Sequence, residues 1–154
     1  MADRVAEGRT GGEPDDGGQS HLIQLVPRKP RILVADDDPD MRGLVASALR
    51  QGGYEVIEAR TGMEVIDHIA PTVWTRRDGF KAIVSDVRMP ELTGLDLLAA
   101  LRCTKLDTPV VLMTAFGDED VRAEARSFGA TAVLEKPFDL DELHAAVRNA
   151  IAAP

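Results

Sequence analysis

A single cysteine, Cys103, occurs among the 154 residues, so an intramolecular disulfide is excluded. It lies in an apolar helical pattern without neighbours that mark a reactive thiol, and a reducing cytoplasm is the expected setting. The chain also lacks any apolar run near the roughly 20 residues of a membrane span. Its first residues lack the basic-then-apolar layout of a signal peptide, so no membrane partner is expected. Positive charge is scarce too: 18 Lys and Arg stand against 26 Asp and Glu, a formal charge of -8 and a pI near 4.8. Such a chain repels a phosphate backbone, and no basic stripe reverses that field locally, so direct nucleic-acid binding is not expected.

What is present suffices for one core. At 44% hydrophobic, 154 residues make one globular domain and are too few for two. Residues 1–29, rich in Gly, Asp, Glu and Ser, read as a flexible or disordered tail with one incidental apolar patch at 22–26. The ordered domain is expected over 30–152. No output domain is expected within this chain, whether it is a whole single-domain protein or a fragment of a longer one.

From Arg31 onward, β-rich runs alternate with segments of helical period, as expected for strand-helix units around a parallel sheet. The strands are placed at 32–35, 54–58, 81–85, 109–113 and 131–134, the second of them at an edge. Asp38 as cap and Pro39 in the first turn open the first helix, with Met41, Leu44, Val45, Ala48 and Leu49 on its apolar face. Thr61 and Glu64 have capping-box spacing, and the helix they open is expected to end near Ala70, leaving 71–79 as a loop. The only tryptophan, Trp74, falls in that loop beside Arg76 and Arg77; its indole is expected to pack over a helix end. Later helices are expected at 95–101 and 118–128, the second less apolar. The last begins at Asp139 and carries Leu143, Val147 and Ile151 on one face.

Adjacent parallel strands deliver their carboxyl ends to one edge of the sheet, where distant residues converge on a ligand. That edge receives Asp36 and Asp37 from the first strand, Asp86 from the third, Thr114 from the fourth and Lys136 from the fifth. Clustered carboxylates repel one another and call for neutralisation by a proton or a cation. Mg²⁺ suits a site with few carboxylates and room for water and phosphate oxygens. Zinc is disfavoured, because no His or Cys stands nearby and His21, His68 and His144 have no ligand-like partners. Asp36, Asp38 and Asp40 resemble the start of an EF-hand loop, but Met41 and Ser47 occupy the positions of its Gly and Glu, which excludes that mode. With the cluster screened, Asp86 can attack phosphorus, and Lys136 and the Thr114 hydroxyl are suited to stabilise the resulting charge.

Four motifs now stand in order: the run 32–37 ending in Asp36 and Asp37, the Ser85 to Pro90 segment, Met113 with Thr114 and Ala115, and Glu135, Lys136, Pro137 and Phe138. Together they resemble the receiver domain of bacterial two-component response regulators over about residues 31–152. The resemblance implies a flavodoxin-like (βα)5 fold, a doubly wound five-stranded parallel sheet with five helices. It implies Asp86 as phosphoacceptor, and Mg²⁺ held by Asp37, Asp86 and the Arg88 carbonyl, with Asp36 acting mainly through metal-bound water. Lys136 would pair with the phosphoryl group across a cis bond to Pro137, and Thr114 would bond a phosphoryl oxygen and move on activation. Where many receivers carry a switch aromatic, three positions before the lysine, this chain has Val133, so aromatic coupling is in question. The positions that tune phosphoryl lifetime hold Arg88 and Phe116, and Phe116 is expected to restrict attacking water.

The implied function is to accept a phosphoryl group from a histidine kinase or phosphotransfer protein and to signal through contact with a downstream protein. The face built by the fourth helix, fifth strand and fifth helix is the expected contact surface. Homodimerisation is left open, and catalysis is limited to the chain's own phosphorylation and dephosphorylation. Two alternatives remain: a receiver-like interaction module that works unphosphorylated, and a haloacid-dehalogenase-like phosphatase, whose pattern Asp36 and Asp38 fit only partly because Asp40 stands where Thr or Val belongs.

Overall fold

A computed structural model describes residues 27–75, 79–115 and 117–153. The apolar patch at 22–26, together with His21, Arg76, Arg77 and Phe116, lies outside the described residues. Five strands, β1 (Arg31–Ala35), β2 (Glu55–Ala59), β3 (Ala82–Asp86), β4 (Val110–Ala115) and β5 (Ala132–Lys136), form one parallel sheet in the order β2-β1-β3-β4-β5. Helices α1 (Pro39–Gln51), α2 (Gly62–Thr75), α3 (Gly94–Cys103), α4 (Glu119–Ser127) and α5 (Leu140–Ala152) follow the strands in turn.

Side-chain alternation divides the core. Ile32 and Val34 of β1, Val84, Val111 and Met113 pack with Val45, Leu49, Leu143 and Val147 of α1 and α5. Leu33, Ile83 and Leu112 point the other way, onto Val65, Ile69, Leu97 and Leu101 of α2 and α3 and Ala125 of α4. A sheet covered on both faces needs apolar residues at every position of its central strands, and β3 is buried throughout. Edge strand β2 is covered less completely, with Glu55 and Glu58 exposed.

Local signals set most helix ends. The Asp38 carboxylate accepts the Asp40 N–H at 2.9 Å, and Asp139 accepts the Glu142 N–H at 2.8 Å. Thr93 and Asp96 form a reciprocal capping box at the start of α3. Thr61 accepts the Glu64 N–H at 3.1 Å, while the Glu64 carboxylate reaches past the cap to the Arg60 N–H at 2.7 Å.

Three expectations need correction. Helix α2 does not stop near Ala70 but continues through Pro71 to Thr75. Pro71 lacks the N–H that would bond the Asp67 carbonyl, yet the helix runs on, and Thr72 donates to the Ile69 carbonyl at 2.7 Å and Thr75 to that of Pro71 at 3.0 Å. Trp74 therefore rides on the last turn of a helix and is 86% exposed, where packing over a helix end was expected. In α1, Leu44 is exposed and Ala46 is buried in its place, because the core-facing stripe is centred on Val45 and Leu49.

Candidate functional site

Strand register assembles the site. Ala35 pairs with Ser85 and Asp86 with Met113, so Asp36 and Asp86 emerge side by side at the ends of β1 and β3. Thr114 pairs with Glu135 and Ala115 with Lys136, which sets Thr114 and Lys136 at the same edge two strands along. Carboxylate oxygens of Asp36, Asp37 and Asp86 all lie within 4.8 Å of one another. The Lys136 ammonium donates to Asp86 Oδ1 at 2.9 Å and stands 3.5 Å from Asp36 Oδ2. The Lys136–Pro137 peptide bond is cis.

The environments of the three acids differ. Asp36 is 1% exposed and Asp86 7%, whereas Asp37 is open to solvent. Asp36 Oδ1 accepts the Asp38 N–H at 3.0 Å, and its main chain is fixed by Arg42 donating to its carbonyl at 2.9 Å. Asp36 Oδ2 is buried without a hydrogen bond. Burial pushes the Asp36 carboxyl above its ordinary range; the Asp38 N–H and Lys136 oppose this, and the charges of Asp86 and Asp37 add to it. Burial also works against the Lys136 ammonium, but its hydrogen bond to Asp86 and the charges of Asp86 and Asp36 prevail and hold it above its usual value.

Three carboxylates against one ammonium leave negative charge in excess. A buried Asp36 oxygen without a hydrogen bond, an exposed carboxylate on Asp37 and the Asp86 carboxylate form a hard, all-oxygen donor set of the kind Mg²⁺ takes, with most of its shell left to water and phosphate. These residues fit the ion that the sequence implies.

Close backbone packing places the segment after Asp86. Gly94 donates to the Val87 carbonyl at 2.9 Å, and a Cβ at Gly94 would come within 2.5 Å of the Asp86 carbonyl oxygen and 3.0 Å of Val87 Cα. Only glycine permits this approach, so Gly94 holds the acceptor strand's end against α3. The Arg88 side chain is exposed and turned toward Asp118, 3.5 Å away. Asp118, although it stands at the cap of α4, makes no side-chain capping bond.

The structure thus brings Asp36, Asp37, Asp86 and Lys136 together. Thr114 is buried at the neighbouring strand end, Arg88 lies on the loop beyond Asp86, and Val133 is partly buried on β5 against the α2 and α3 side of the core. Phe116 lies outside the described residues. Sequence reasoning passed over the packing role of Gly94, for which the capping-box pair Thr93 and Asp96 around it was an available signal. It also passed over Glu135 and Arg122, whose 2.7 Å ion pair joins residues 13 apart and has no local signature.

Comparison with known proteins agrees with this architecture. The family model described as the response regulator receiver domain matches residues 32–148. The response regulator MprA of Mycobacterium avium is 40% identical over 118 residues, covering 77% of this chain and 49% of its own length. The regulatory protein AtoC of Escherichia coli is 36% identical over 124 residues, covering 79% of this chain and 25% of its own. A receiver domain of Clostridium thermocellum superposes with a TM-score of 0.70 at 28% identity, over 79% of this chain and 94% of that one. The chain belongs to the response regulator receiver family of two-component signalling, with the flavodoxin-like (βα)5 fold. It spans half or less of the curated relatives' length. Among the described residues no helix is long and apolar enough to cross a membrane.

Proposed function

We propose that Asp86 accepts a phosphoryl group from a phosphohistidine of a kinase or phosphotransfer protein. The observation that carries this reading is the 2.9 Å contact of Lys136 with Asp86 beside two further carboxylates, a site with charge suited to a cation and a phosphoryl group together. An Asp86 oxygen forms a bond to phosphorus as the P–N bond to the donor imidazole breaks, and the electron pair leaves with the imidazole nitrogen. Asp36, Asp37, Asp86 and the Arg88 main-chain carbonyl would hold Mg²⁺. When bound, the ion neutralises the carboxylates and the phosphoryl oxygens.

The chain's own groups do the rest. Lys136 offers three donors on a flexible stem, so it can pass from Asp86 to a phosphoryl oxygen without leaving the site. The Thr114 hydroxyl, buried one strand away, supplies a further donor. Water attack on the acyl phosphate returns the carboxylate and releases inorganic phosphate, at a rate that Arg88 and Phe116 tune. The phosphorylated state is read by a downstream protein at the face made by α4, β5 and α5.

Incubation with Mg²⁺ and acetyl phosphate, followed by intact mass, tests this reading. Wild type is expected to gain one phosphoryl group and Asp86→Asn none. Equal labelling of both chains, or none of a folded wild type, sinks the assignment.

A further inference from the structure

The switch aromatic of related receivers is replaced by Val133, which raises the question of what links the site to α4. On β5, Glu135 is two residues beyond Val133 and so lies on the same face of the sheet, toward α4. Its carboxylate accepts the Gly117 N–H at 2.9 Å through Oε1 and the Arg122 guanidinium at 2.7 Å through Oε2. Gly117 adopts a left-handed φ of 80°, and it follows Thr114 and Ala115 on the loop that leads from β4 into α4. Arg122 is on the first turns of α4 and also meets Glu119 at 3.3 Å. One carboxylate, adjacent in sequence to Lys136, thus grips both the loop that follows the Thr114 strand end and the helix beyond it.

Little else holds that helix. Ala125 is the one residue of α4 that is fully buried. Its cap, Asp118, faces Arg88 from the β3–α3 loop and leaves Oδ2 buried without a hydrogen bond. Charge contacts at the first turn therefore supplement the thin apolar contact that Ala125 and Val121 give α4.

Resting on the assignment of Asp86 as phosphoacceptor, we infer that Glu135 is a positioning residue: with Arg122 and the Gly117 N–H it forms an ionic tether that carries the phosphorylation state of the site to α4, in place of an aromatic at position 133. A shift of Thr114 toward the phosphoryl group pulls the loop against this tether, and α4 moves with it. Such pairs are individually weak, which suits an element that must rearrange on gaining one phosphoryl group.

Two readouts separate this inference from the one beneath it. Wild type, Glu135→Ala and Arg122→Gln are treated with Mg²⁺ and acetyl phosphate, phosphoryl uptake is read by mass, and amide exchange is read over residues 117–127. Wild type should take up one group and change its exchange across this segment. Both variants should exchange about tenfold faster there at rest, by loss of a charge-assisted hydrogen bond or ion pair. Arg122→Gln should still take up the phosphoryl group, yet show no further change at 117–127, and Arg122→Lys should restore part of the response. Normal uptake together with a wild-type exchange response in both variants overturns the tether alone. Failure of wild type to take up the group, with faster exchange at rest in both variants, overturns the Asp86 assignment and the coupling built on it, and leaves the contact as a static brace.

Discussion

Helices α4 and α5 both flank the strands that carry Thr114 and Lys136, yet they are held by different forces. Helix α5 buries Leu143, Val147 and Ala150 against β3, β4, β5 and α1. Helix α4 buries only Ala125 fully, with Val121 partly covered, and relies on the Glu135–Arg122 and Asp118–Arg88 contacts at its first turns. Apolar burial scales with area and gives a deep, stiff minimum. Ion pairs near the surface contribute about 1 kcal/mol each, a scale on which one new charged group can reset the balance. Strong packing thus fixes the half of the edge that supports Lys136, while the other half stays adjustable.

The comparison breaks most visibly at Leu143. Leu143→Ala should cost about 3 kcal/mol, as expected for truncating a fully buried leucine, measured as a drop in the urea midpoint with unchanged slope. A cost below about 1 kcal/mol would mean that α5 is held no more firmly than α4. Next comes Gly94→Ala, where the added methyl must displace backbone at Asp86; a loss of about 2 kcal/mol, with slower phosphoryl uptake from acetyl phosphate, is expected. Unaltered stability and uptake would show that the β3–α3 loop can give way.

Asp36 provides a test of opposite sign. Folding raises its carboxyl above the ordinary 3.8, so the folded chain keeps this proton in the pH window just above that value. The stability that protonation contributes is complete below the unfolded value and is lost as the pH rises through the folded one. In metal-free buffer at pH 7, Asp36→Asn should therefore be more stable than wild type by about 1 kcal/mol, with the gap closing toward pH 4. Denaturation midpoints across that range decide it, and a pH-independent difference would remove charge burial as the cause. The smallest effect is expected on α4, where Val121→Ala should cost less than about 1 kcal/mol, since the side chain is only partly buried. A loss equal to that of Leu143→Ala would contradict the picture of a loosely packed helix.

Much of this molecule is legible in its sequence. The order of strand-helix units, the caps at Asp38 and Asp139, the edge position of β2 and the sparse apolar content of α4 follow from periodicity and from groups acting within one turn of themselves. The four motifs also identified the acids and the lysine that converge, because parallel strands send their carboxyl ends to one side whatever the details of packing. Cues of the same local kind misled at Pro71, where a proline normally ends a helix but α2 runs on through it to Thr75.

What only the tertiary structure decided are relations between residues far apart in the chain. The approach of Lys136 to Asp86, 50 residues away, depends on the register of three strands. Burial of Asp36 with an oxygen that has no hydrogen bond, exposure of Trp74, the tight fit of Gly94 under Asp86 and the grip of Glu135 on Gly117 and Arg122 arise in the same way. Sequence determines local conformation through interactions a few residues long, whereas desolvation, charge pairing and steric fit depend on which distant surfaces folding presses together.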